Sequence, residues 1–161
     1  MLFKLFQSFS LWIHNTPPAL WVRGSEWAFA ALEVVHLFGL TILLGSILML
    51  SLRFLGLAMR RHPAVQIARE LAPGTMIGLT IVLFSGILMF VSGAARYYVS
   101  GPFQFKMVCF LAANILHFTL YFRVTHAGEN QPTTRWTRVL SGVALLLWIA
   151  VGAAGRAIAF V

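Results

Sequence analysis

The chain has 161 residues, 60% hydrophobic and only 10% charged, with a mean hydropathy of +0.86. That balance excludes an ordinary soluble domain, in which charged residues make up about a quarter of the chain. Twelve Lys and Arg against four acidic residues give a formal net charge of +8. No basic-aromatic signature of a nucleic-acid binder accompanies it, so the charge is assigned to orientation in a bilayer and contact with anionic lipid.

In chain order, Leu2, Leu5, Phe6, Phe9, Trp12 and Ile13 recur at helical spacing, with Lys4, Gln7 and Ser8 on the opposite side. This predicts an amphipathic helix lying in the membrane interface, or an apolar flap packed on the bundle. Gln7, Ser8 and Ser10 interrupt the apolar run and no small-residue cleavage site comes after it, so it is not read as a signal peptide. Asn15-Thr16-Pro17-Pro18 is expected to end it and Ser25 to cap the next helix, dividing an N-terminal segment, 1–25, from a bundle, 26–161.

A helical crossing of the hydrocarbon core needs about 20 apolar residues. Segments 27–54, 73–98, 103–124 and 136–160 meet that length. The fold class is therefore all-α, an integral membrane four-helix up-down bundle with an N-terminal amphipathic interfacial helix. Arg53, Arg60, Arg61, Arg69, Arg123, Arg135 and Arg138 fall on one side of it, and Lys4, Arg23, Arg96, Lys106 and Arg156 on the other. The positive-inside rule makes the first side cytoplasmic and leaves both termini periplasmic.

Cys109 stands alone, and the chain has no Asp, no P-loop, no GxSxG elbow and no HExxH pair. Disulfides within the chain, cysteine metal sites and the enzymes built on those motifs are excluded. Met49, Met59, Met76, Met89 and Met107 are spread over all depths, which suits packing better than a copper site.

What remains is a small set of polar residues inside the crossings, where ionisable groups are costly and usually face a bundle interior. Glu33 and His36 lie in the first crossing, Asn114 and His117 in the third, and Arg156 near the end of the fourth. His36 is ten residues past Glu26 and His117 eleven past Lys106. At 1.5 Å per residue, both are about 15 Å deep if Glu26 and Lys106 mark the membrane edge. Two imidazoles at one level on parallel helices are placed to hold a haem iron between them. Gly39 and Ala113, one turn from each histidine, would leave room for the macrocycle. Glu33 would orient His36, exchange a proton with a quinone, or pair with Arg156; Asn114 stands in the same relation to His117. Arg156 first and Arg96 second are the expected contacts for haem propionates. The competing class is a small non-redox transporter, proton pathway or assembly subunit using Glu33 and His36.

The run LEVVHLFGLTILLGSILML followed by LRFLGL, with FKMVCFLAANILHF and the closing GRAIAF, resembles an uncharacterised bacterial four-helix membrane family. That family is similar in layout to copper-resistance-D-like and b561-like membrane cytochromes. The resemblance implies a b-type haem carried by His36 and His117 in a bacterial inner membrane, with quinone or redox subunits, or a second copy of the chain, as partners. The b561-like proteins commonly hold two haems on four histidines. Here the second and fourth crossings contribute no intramembrane histidine, so the resemblance supports one haem at most and an electron-transfer subunit more than a stand-alone enzyme.

Overall fold

Pro17 and Pro18 open a helix of their own. A proline costs nothing in the first helical turn, where its missing N–H has no partner to lose, and α1 runs Pro17–Gly24 with Ala19 and Val22 buried against the bundle. The computed structural model describes residues 12, 14–97, 99–127 and 134–158. The interfacial helix expected over the first residues lies mostly outside them.

Four long helices come next: α2 Ala28–Leu55, α3 Ala64–Ser92, α5 Gly101–Ala127 and α6 Arg135–Ala157, with a single turn, α4 Ala94–Tyr97, between α3 and α5. Each long helix is apolar and long enough to cross a membrane, and the molecule is an all-α, multi-pass membrane bundle. Ser25 does serve the start of α2, its hydroxyl accepting from the Ala28 N–H at 3.3 Å. Gly56 ends that helix at φ 75°, with its own N–H on the Arg53 carbonyl and the Leu57 N–H on the Leu52 carbonyl. Only glycine takes this left-handed cap without strain.

The second crossing departs from expectation at both ends. α3 starts nine residues before Pro73, which sits inside the helix. The added stretch carries Gln66, Arg69 and Glu70, so hydropathy misses it, but it is helical in its own right: the Gln66 amide donates to Glu70 at 2.8 Å one turn away. Pro73 removes only the bond to the Arg69 carbonyl, a loss that membrane helices absorb. At the other end α3 stops at Ser92, and Gly93 turns the chain into α4.

α2 packs along α3 and α5 along α6, and the two hairpins join most closely where α2 meets α6. Hydrophobic burial does not drive such contacts in lipid, so close approach of backbones must. A Cβ at Gly78 would lie 2.6 Å from the Leu43 backbone nitrogen, and one at Gly39 2.7 Å from Ile81. Two apolar layers record the register. One holds Leu43, Ile47, Val82, Ala113 and Trp148; the other holds Leu50, Phe54, Ile67, Ala68 and Leu120. Ala113 is thus level with Leu43 to Ile47, and Leu120 with Leu50 to Phe54. The basic loops form one end of the bundle, the arginine-rich face; the start of α2 and the end of α6 form the other, the terminal face.

Candidate functional site

Above the first layer, towards the terminal face, the four helices enclose a cavity of about 370 Å³. Its floor is Trp148 with Leu40 and Leu44. Its roof is an aromatic stack: Phe103 lies on Phe90 at 5.2 Å between ring centroids and on Tyr97 at 5.7 Å. Gly93 permits this, since a Cβ there would meet the Tyr97 ring at 2.6 Å.

His36 projects from α2 into the cavity, and its hydrogen bonds set its tautomer. The Ser85 hydroxyl donates its only proton to the Ile81 carbonyl at 2.6 Å. It can therefore meet His36 Nδ1, 2.9 Å away, only as an acceptor. Nδ1 carries the hydrogen, and Nε2 keeps its lone pair for a ligand. On α3, Gly86 leaves room for the ring, its notional Cβ falling 3.3 Å from Cε1.

Lys106 enters the same cavity from α5, close enough to His36 to act on it electrostatically. Its ammonium passes over Gly155, whose notional Cβ would be 3.4 Å from Nζ. It has no salt-bridge partner among the described residues. Glu33 and Arg156 stand exposed at the mouth, and Glu33 makes no hydrogen bond to a described residue. Trp148, only 2% exposed, leaves its indole N–H without an acceptor among the described residues. A buried orphan donor costs about 1–3 kcal/mol.

Of the residues expected from sequence, Glu33, His36 and Arg156 come together here, and five do not. His117 is buried but does not line the cavity. It lies between Ala113 and Leu120, hence between the two layers, eleven residues beyond Lys106 on α5. That is about 16 Å along the axis from the level of His36. The matched depth rested on Lys106 marking the membrane edge, whereas Lys106 is inside the bundle beside His36. Asn114 donates to the Phe110 carbonyl of its own helix at 2.8 Å. Ala113 packs in the first layer, Gly39 meets Ile81, and Arg96 is exposed on α4, away from the lining. Sequence reasoning counted Lys106 as a rim charge and passed over Trp148 and Ser85. Lys106, a lone cation in an apolar run, was the one signal that could have been read.

Among the described residues no three His, Cys, Asp or Glu side chains converge as a metal cage. No curated protein and no solved structure matches the chain. A family model does, over residues 23–161, which takes in every helix of the bundle and the whole cavity, and the chain belongs to that family, a family of unknown function (DUF6644).

Proposed function

We propose that the protein is a membrane b-type cytochrome that binds one haem in this cavity, where His36 would hold the iron. The observation that carries the proposal is an imidazole held at Nδ1 by Ser85, which leaves Nε2 for a ligand, in one cavity with the cation Lys106. The chemistry of the donor set fits: a porphyrin brings four ligands of its own, so one imidazole suffices where no protein cage exists. Gly86, Gly152 and Gly155 leave flat space along the walls, and the aromatic roof offers a face to stack on. Lys106 and Arg156 are the cations for two carboxylates, which need such partners in a low-dielectric setting. His117 has no part in this site.

When bound, haem supplies one-electron chemistry between ferric and ferrous iron. The chain's own contributions are separable. Ser85 holds the ring and its tautomer, the serine counterpart of the outer-shell partners that metal-ligating histidines usually have. Phe90, Phe103 and Tyr97 exclude water. Glu33 is at the mouth, where it can exchange a proton with a quinone. One haem in one half of the bundle suits a subunit that passes electrons between a membrane or periplasmic donor and an acceptor, in a bacterial inner membrane.

Absorption spectra of the detergent-purified protein, oxidised and reduced, test this. A sharp Soret band is expected, lost in His36→Ala and kept in His117→Ala. A colourless protein would favour the non-redox reading that uses Glu33 and His36. Haem lost from His117→Ala but kept in His36→Ala would restore the deeper histidine as the ligand.

A further inference from the structure

We infer that the cavity exchanges its ligand sideways with the bilayer, through a portal between the terminal-face halves of α2 and α6. Four lining residues are exposed, Glu33 and Leu37 on α2 and Gly152 and Arg156 on α6, whereas the lining from α3, α4 and α5 is not. The Phe90–Phe103–Tyr97 stack covers the roof, and the Trp148 layer forms the floor. At Gly152 the gap is open, since a Cβ there meets nothing within 4 Å.

The portal spans two environments. Glu33 and Arg156 lie within about 8 Å of the starting end of α2 and the finishing end of α6, at interfacial depth, while Leu37 lies about 14 Å along α2, level with hydrocarbon. Its shape suits an amphipathic anion dissolved in the leaflet. The polar end stays with Arg156 and Lys106, and the apolar edge slides past Leu37 and Gly152. The identity of that ligand as haem rests on the proposed function; the route does not.

The test uses the full chain in phosphatidylcholine vesicles with Trp12, Trp21, Trp27 and Trp136 changed to Phe, so that Trp148 alone reports. Lipids brominated on the acyl chain should quench its emission. Gly152→Leu should remove most of that quenching, and Ala153→Leu, exposed on the same turn but outside the lining, should not. Circular dichroism checks folding, and Leu37→Phe, which keeps Trp148 as the reporter, narrows the portal from α2 if Gly152→Leu does not fold. In a second arm, vesicles preloaded with haemin deliver it to apoprotein, and either portal variant should slow the rise of the Soret band about tenfold. Equal quenching in parent, Gly152→Leu and Ala153→Leu, or stronger quenching by aqueous iodide than by lipid, would overturn the portal. Absence of a Soret band in every variant, with the quenching pattern as expected, would instead retain the portal and remove haem as its ligand.

Discussion

His36 owes its orientation to Ser85, and the dependence is one-way. The serine hydroxyl would bond the Ile81 carbonyl with or without the histidine, while the imidazole has Ser85 as its side-chain partner and the Val82 carbonyl as a backbone one. Ser85→Ala should therefore leave the bundle folded but loosen the ring, which keeps only its backbone partner. Loss of an outer-shell partner typically costs roughly 10–100-fold in metal affinity, so haem should bind about tenfold more weakly; a haemin titration of the apoprotein measures it. Lys106 acts through charge alone. Two unit charges about 10 Å apart at an effective dielectric of ~20 interact by roughly 1–2 kcal/mol. Removing a cation favours the more positive ferric iron, so Lys106→Leu should lower the haem potential by tens of millivolts. Arg53→Leu, at the arginine-rich face, should leave it unchanged. A redox titration that found the larger shift in Arg53→Leu would place the haem at the other end of the bundle.

At the scale of elements, the α2–α3 pair depends on glycines where two backbones cross. Gly78 is the tightest, because its notional Cβ meets the Leu43 nitrogen and Cα, at 2.6 and 2.9 Å, and a backbone cannot swing aside as a side chain can. Gly78→Ala should cost about 1–3 kcal/mol, the usual penalty for overpacking. Gly45, on the lipid face of α2 with nothing near its Cβ, is the control. There Gly45→Ala should be neutral or stabilising by up to about 1 kcal/mol from helix propensity. Unfolding in mixed micelles, followed by circular dichroism, would separate the two. The four crossings were legible because length and hydropathy suffice to mark them. Their edges were less so: residues 64–72 continue α3 although Gln66, Arg69 and Glu70 interrupt its apolar run, and Pro73 lies inside a helix that neighbouring turns sustain. The site was legible only in part, for a reason of the same kind. Glu33, His36 and Arg156 stand out as polar letters in apolar text. Which helix level each shares is decided by register, and register is set by contacts such as Gly78 on Leu43 that no single helix reveals.

For the whole molecule, the structure sharpens the argument about orientation. The split of basic residues was seven against five when every Lys and Arg was counted as a loop charge. Lys106 is not one: it enters the cavity from within α5, beside His36. Arg156 lines the cavity mouth but, one residue from the end of α6, still counts as an end charge. The seven arginines of the other face are all at helix ends or in connections, and Arg53 bonds the His62 carbonyl of its own loop at 2.9 Å. The bias that the positive-inside rule weighs, counted near the ends of the crossings, is therefore larger than the raw split. From that rule we expect the arginine-rich face in the cytoplasm and the cavity mouth on the exported side. A periplasm-dependent reporter fused after Val161 should be active, and the same reporter placed in the loop at Arg60 and Arg61 should be silent. The opposite pattern would reverse the molecule in the membrane. Glu33, Arg156 and the portal would then meet the cytoplasmic leaflet, and the redox partner that the proposed function requires would have to be sought there.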